Sequence, residues 1–265
     1  LVDRKADPWC DNWLTQLREL SNGAFDHVCR LLESGAAGAD HVYLVFDWFP
    51  ATLAEQIPAT GLVSSRVAQS ILRQLVAGLE ELHGRLGAHG GLRAEFVFVD
   101  TNSLNEESRV WIGGVELGHL PYWTDGARLA AGSHEFFPPE WHGSLREPSK
   151  GADVFALGLL AVELLAGREA RVRVAATPNT ARECASRDLK QRWPWWKRPK
   201  FVPALLGQVK QRPTDGPAVK RSFDWWHTCE WVALPVCVVV MVLMLLMIGI
   251  RWREATLRHE RDAAI

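Results

Sequence analysis

What this chain lacks narrows it first. It has no CxxC pair, and its five cysteines (Cys10, Cys29, Cys184, Cys229 and Cys237) are scattered and odd in number. That pattern argues against a disulfide framework and a zinc site and suits a reducing compartment. Neither sign of charge dominates: 30 Lys and Arg face 31 Asp and Glu, for a formal net charge of −1. Bulk charge therefore points to no nucleic-acid partner. The chain opens at Leu1, and its three methionines are Met241, Met244 and Met247. A start upstream is expected, with either a removed targeting segment or a longer chain. A removed organelle-targeting peptide would imply a mitochondrial or plastid membrane. No internal repeat is visible, and 265 residues suffice for one full domain with an appendage.

Charge is nevertheless unevenly placed. Between Arg187 and Arg221 ten basic residues, including Lys190, Arg198, Lys200, Lys210 and Arg212, are opposed only by Asp188 and Asp215. Beyond this run, Trp231 to Ile250 read WVALPVCVVVMVLMLLMIGI, twenty residues without a charge. At about 1.5 Å per residue, such a helix spans a hydrocarbon core of about 30 Å. Trp225, Trp226 and Trp231 stand at one end and Trp252 at the other, where amphipathic rings prefer the headgroup region. Pro235 falls in the first turns, where its missing N–H costs little. A single membrane span at 231–250 is expected. The basic run favours the large domain on the cytoplasmic side, while Arg251, Arg253, Arg258 and Arg261 make the vote close.

The remaining chain alternates two periodicities. Asn12 to Leu20 carries Trp13, Leu14, Leu17 and Leu20 at helical spacing. Val28–Leu32 and His41–Phe46 read as strands, the second rich in β-branched and aromatic residues. Ser65 to Leu86 is a long amphipathic helix with Val67, Ile71, Leu72, Leu75, Val76, Leu79 and Leu82 on one face and Ser64 or Ser65 as cap. Phe96–Val99 and Arg109–Ile112 are short strands joined by a polar loop. Asp153–Leu165 is a strongly apolar helix stopped by Gly167. A few strands followed by mostly helices describes an α+β domain.

The order of these pieces resembles the protein kinase family, from about residue 11 to 226. HVYLVFDWFPATLAEQI looks like the last small-lobe strand and hinge, with Phe46 as gatekeeper and Asp47 and Trp48 in the linker. HGGLRAEFVFVD, from His89 to Asp100, is similar to the catalytic loop H-R-D-L-K-P-E-N and its strand. PPEW, from Pro138 to Trp141, looks like the A-P-E element, and SKGADVFALGLLAVELLAG like the buried helix that opens with its Asp, here Asp153. QRPT, from Gln211 to Thr214, resembles the late motif whose Arg, here Arg212, pairs with the A-P-E Glu, here Glu140. The resemblance implies a reduced small lobe and hinge at 1–49 and a mostly helical large lobe at 50–226. A juxtamembrane segment and span at 227–250 and a polar tail at 251–265 follow.

The same alignment implies losses. Phosphoryl transfer is mainly positioning and charge neutralisation. The catalytic Asp position is Gly91, the magnesium-binding Asn position is Phe96, and the D-F-G element aligns with Gly114-Val115-Glu116, so the metal-binding Asp position is Gly114. The catalytic-loop Lys is replaced by Arg93, and no glycine-rich strand pair precedes the hinge. His89, Glu140, Asp153 and Arg212, which serve architecture in the family, are kept.

These residues imply a catalytically inactive kinase-like protein, not an enzyme, that acts at a membrane as a scaffold or accessory subunit for a protein partner. No metal, cofactor or nucleic acid is expected. RWPWWKRPK, from Arg192 to Lys200, interleaves Trp193, Trp195 and Trp196 with Lys197 and Arg198, a pattern suited to membrane or partner contact. The alternative is an unorthodox active kinase or nucleotide-binding switch that uses Arg93 and Glu116. A truncated active kinase with its glycine loop upstream is a third reading.

Overall fold

The computed structural model describes residues 2–3, 21, 24–37, 41–58, 62–115, 136–141, 148–194, 198–224, 239, 241–248, 250–251 and 253. Contacts divide the chain into two units, 1–223 and 224–265. The helix expected at Asn12–Leu20 lies outside the described residues.

In the first unit, β1 (Val2–Asp3), β2 (Leu31–Ala37) and β3 (His41–Phe46) form an antiparallel sheet in the order β1-β3-β2. The strand expected at Val28–Leu32 instead begins at Leu31 and runs on to Ala37. The reason is tertiary. Residues 26–29 are taken by the large lobe: Asp26 N–H and His27 N–H donate to Glu81 Oε2 at 3.1 and 3.2 Å, and Cys29 N–H donates to Ile112 O at 2.8 Å. Val28 forms a parallel bridge to Ile112, so the chain is free to pair with β3 only after Arg30.

A second antiparallel sheet runs β4 (Ala51–Thr52), β5 (Val97–Val99) and β6 (Val110–Ile112), with Val97 opposite Ile112 and Phe98 opposite Trp111. Phe96, expected in the strand, instead ends a 3-10 turn, Ala94–Phe96. The period-2 alternation sends Val97, Val99, Val110 and Ile112 inward, all fully buried. Thr52 caps the short α1 (Leu53–Gln56) in a reciprocal capping box with Glu55.

Packed on β6 is α2 (Ser65–Arg85), capped by Ser64, whose Oγ accepts from Val67 N–H at 3.3 Å. Its expected apolar face is buried throughout. The central helix α3 (Lys150–Ala166) is capped by Ser149 and stopped at Gly167, whose φ of +93° suits glycine. It packs against α2, α4 (Arg168–Ala175), α5 (Ala181–Arg192) and α6 (Phe201–Leu205). Surrounded in this way it is apolar on all sides, with Asp153 and Glu163 as its buried charges. A helix at 216–224, α7, ends the unit.

In the second unit, residues 239, 241–248, 250–251 and 253 are helical, and the apolar side chains from Val239 to Ile250 that are described are 46 to 61% exposed. Among the described residues no helix is long and apolar enough to cross a membrane. The span expected at 231–250 is to that extent unsupported; its residues 231–238, 240 and 249 lie outside the described residues.

Candidate functional site

The kept polar residues converge on Asp153 at the start of α3. Its carboxylate, 1% exposed, accepts from His89 N–H at 2.7 Å, Gly90 N–H at 2.9 Å and His83 Nε2 at 2.9 Å. His83, at the end of α2, accepts from Gly216 N–H at Nδ1, 2.8 Å away, so its ring proton sits on Nε2 and points at Asp153. A Cβ at Gly216 would come within 2.6 Å of the Glu80 backbone, so only glycine lets α7 approach α2 this closely. His89 is equally committed. Its Nδ1 accepts from Gly91 N–H at 3.1 Å, and its Nε2 donates to Gly113 O at 2.9 Å. The loop after α2, the end of β6 and the start of α3 are thereby tied into one polar node in which each buried group has its partner.

A second tie lies beside the same first turns of α3. Arg212 grips Glu140 with two parallel bonds, 2.8 and 2.7 Å, and donates to Gly207 O and Gly151 O. Its guanidinium lies 5.1 Å above the Phe155 ring, and its side chain is 1% exposed. A bidentate fork with aromatic stacking is a role for which lysine is no substitute.

Between these ties lies the cleft floor. Gly114 has φ of +75°, and a Cβ there would stand 2.7 Å from Cγ of Phe96. The Phe96 ring therefore occupies the room into which a side chain at 114 would project. Gly113 stands in the same relation to Phe98, at 2.5 Å. The Arg93 guanidinium stacks 4.2 Å over the Phe96 ring, with Glu95 4.0 Å from its Nε. Burial holds its pKa below the ordinary value and Glu95 partly opposes this; arginine nonetheless stays cationic. Among the described residues no group of three or more His, Cys, Asp or Glu is placed to hold a metal ion. Glu116 lies outside the described residues.

Of the hinge residues, Phe46 is half-buried, Asp47 donates its N–H to Arg30 O at 3.4 Å, and Trp48 is 83% exposed. Below them Phe49 stacks on Phe98 at 5.4 Å and meets Trp111 at 4.8 Å. That aromatic cluster was not anticipated, although the alternation in β5 and β6 places Phe98 and Trp111 on one face. Nor was the buried Glu163, which pairs with Nε of Arg168 at 3.1 Å and of Arg171 at 3.0 Å. In the tryptophan-rich stretch, Trp193 turns inward and donates its indole N–H to Leu165 O at 3.1 Å, and Arg198 is half-buried. Trp195, Trp196 and Lys197 lie outside the described residues.

Comparison with known proteins places this arrangement. The family model of the protein kinase domain matches residues 3–210. The chain belongs to the protein kinase domain family. Serine/threonine-protein kinase pkn2 of Myxococcus xanthus is 24% identical over 156 residues, 58% of this chain and 19% of that protein. A probable serine/threonine-protein kinase of Dictyostelium discoideum is 30% identical over 122 residues, 45% of this chain and 16% of that protein. The chain thus spans less than a fifth of the length of these relatives. Among solved structures, Rad53 in complex with AMP-PNP superposes with a TM-score of 0.60 at 16% identity, covering 80% of this chain and 54% of that one. The AtMLKL3 tetramer does so at 0.58 and 21% identity, covering 86% and 41%.

These matches overturn one expectation. The chain was expected not to be an enzyme because Gly91, Phe96 and Gly114 stand where the resemblance puts catalytic and metal-binding groups. Its family is that of the protein kinase domain, and both curated relatives carry the name of kinases. The residue types at three positions are a statement about those positions, and they do not remove the chain from an enzyme family.

Proposed function

We propose that this protein kinase domain works at a membrane as a scaffold or accessory subunit, through contacts with a protein partner. The observation that supports the reading most directly is the packing of Phe96 against Gly114 beside a fully bonded Asp153 node. The backbone frame of the domain is held by buried bonds, so its outer surface keeps a defined shape. The cleft floor carries an aromatic ring and a guanidinium where phosphoryl transfer calls for acids. Tethering rests on the uncharged run from Trp231 to Ile250 and its tryptophan borders.

A second reading, phosphoryl transfer or nucleotide-dependent switching, is favoured by the family match and by the names of the relatives. It would draw on Arg93 and Glu116. Thermal unfolding with Mg-ATP separates the two. A ligand at a hundred times its Kd stabilises by about 2.7 kcal/mol. A metal-dependent shift of that size, with labelled phosphate reaching a protein substrate, would establish the second reading. The scaffold reading expects no such shift, and a stoichiometric protein partner that stays bound through purification from the native membrane whether or not Mg-ATP is present.

A further inference from the structure

The basic run between α5 and α7 is sorted by the fold. Arg212 is spent on Glu140 and Lys220 on Glu80, whereas another group faces outward. On α5, Ala181, Ala185 and Leu189 are buried at four-residue spacing. Arg182, Glu183, Arg187 and Lys190 are exposed and Ser186 half-buried, and these five residues line an open groove of about 410 Å³. Asp188, on the inner flank of the helix with a side chain 10% exposed, is engaged by Arg173 at 3.2 Å. Arg182 also donates to Gln211 Oε1 at 3.2 Å, which brings the 3-10 turn Val209–Gln211 alongside. That turn adds exposed Lys210 and an apolar tip, Val209, 53% exposed.

We propose that this face docks onto the anionic phospholipid headgroups of a bilayer. The proposal rests on the membrane tethering put forward above and adds a second, electrostatic contact to it. Charge complementarity selects the occupant. Arg182, Arg187 and Lys190 on α5 and Lys210 on the adjoining turn stand against Glu183, the one acid that lines the groove. The groove holds no buried hydrogen-bonding group that would fix the geometry of one bound side chain. Such a face suits charges that can rearrange laterally, as headgroups do, and Val209 offers an apolar point at the same surface. Each Lys or Arg near an anionic leaflet strengthens association by about fivefold.

The test uses the full chain in lipid nanodiscs, with lysines labelled by a water-soluble acylating reagent and read by mass spectrometry. Discs of phosphatidylcholine alone are compared with discs that also hold phosphatidylserine. Lys190 and Lys210 should label several-fold more slowly in the anionic discs, while Lys150, at the start of α3, keeps its rate. High salt should abolish the protection. The double variant Arg182→Ser, Arg187→Ser should lose most of it at Lys190 while the chain stays in the disc. Equal labelling in both discs, with the chain retained, overturns the docking alone. Release of the chain from both discs by alkaline carbonate overturns the tethering and the docking together. Protection by a polyglutamate peptide but not by anionic discs would assign the face to an acidic protein instead.

Discussion

Two regions within one lobe treat buried polarity in opposite ways. Around Asp153, a charged group is kept and every donor pointing at it is used: two backbone N–H groups and one imidazole. Around Phe96, seven residues beyond His89, an aromatic ring takes the place of polar side chains, and glycines at 113 and 114 leave room for the Phe98 and Phe96 rings. The contrast teaches that frame and cleft floor of this fold are separable. The frame needs a carboxylate because two loop N–H groups and an imidazole point at the same place. The floor needs only filled volume to remain folded, since an aromatic ring against a glycine leaves nothing unpaired.

If the contrast is correct, the frame should break hardest. Asp153→Ala orphans three buried donors and should destabilise the domain by about 4 kcal/mol, measured by urea unfolding. A loss under about 1 kcal/mol would show that the node is not what holds the loop. Arg212→Ala should cost about 3 kcal/mol, somewhat less because Glu140, with a side chain 27% exposed, can recover water once abandoned.

The floor should respond differently. Gly114→Ala forces a side chain into positive φ and into the Phe96 ring, and should cost about 2 kcal/mol. In a Phe96→Ala background most of the steric part disappears, so a double-mutant cycle should return a coupling of about 1 kcal/mol. Additive costs would mean that the ring and the glycine do not compete for the same space. The pair also admits a gain: Phe96→Asn with Gly114→Asp should show more stabilisation by Mg-ATP than the parent chain, read by thermal shift. The smallest effect is expected at the cap of α3, where Ser149→Ala removes one hydrogen bond from Ala152 N–H and should cost about 1 kcal/mol.

Much of the frame was legible because it is written in short-range patterns. The apolar spacing from Val67 to Leu82 defined α2 and its buried face, and Ser64 supplied its cap. Glu140 and Arg212 could be paired because the motif order resembled a family in which they meet. In the structure Arg212 donates to Glu140 at 2.8 and 2.7 Å. His83 was visible only as a residue at a helix end; that it joins Asp153 to Gly216 depends on three segments meeting that are remote in sequence. The start of β2 was misplaced for a similar reason. Val28 and Cys29 have strand propensity, but their backbone is engaged by β6. The reading of the chain as a non-enzyme went further than the three altered positions could carry, and the family match corrected it.

By itself, then, the sequence determined the two long helices α2 and α3 and the apolar face of α2, the residue types at 91, 96 and 114, and that 231–250 carries no charge. These are local matters of periodicity and residue type. Only the tertiary structure decided that Phe96 fills the space above Gly114, that Asp153 takes three donors, and that the basic run divides into paired residues, Arg212 and Lys220, and an outward face. Those outcomes depend on which distant segments compete for the same volume and the same hydrogen-bond partners, and that competition exists only once the chain has packed.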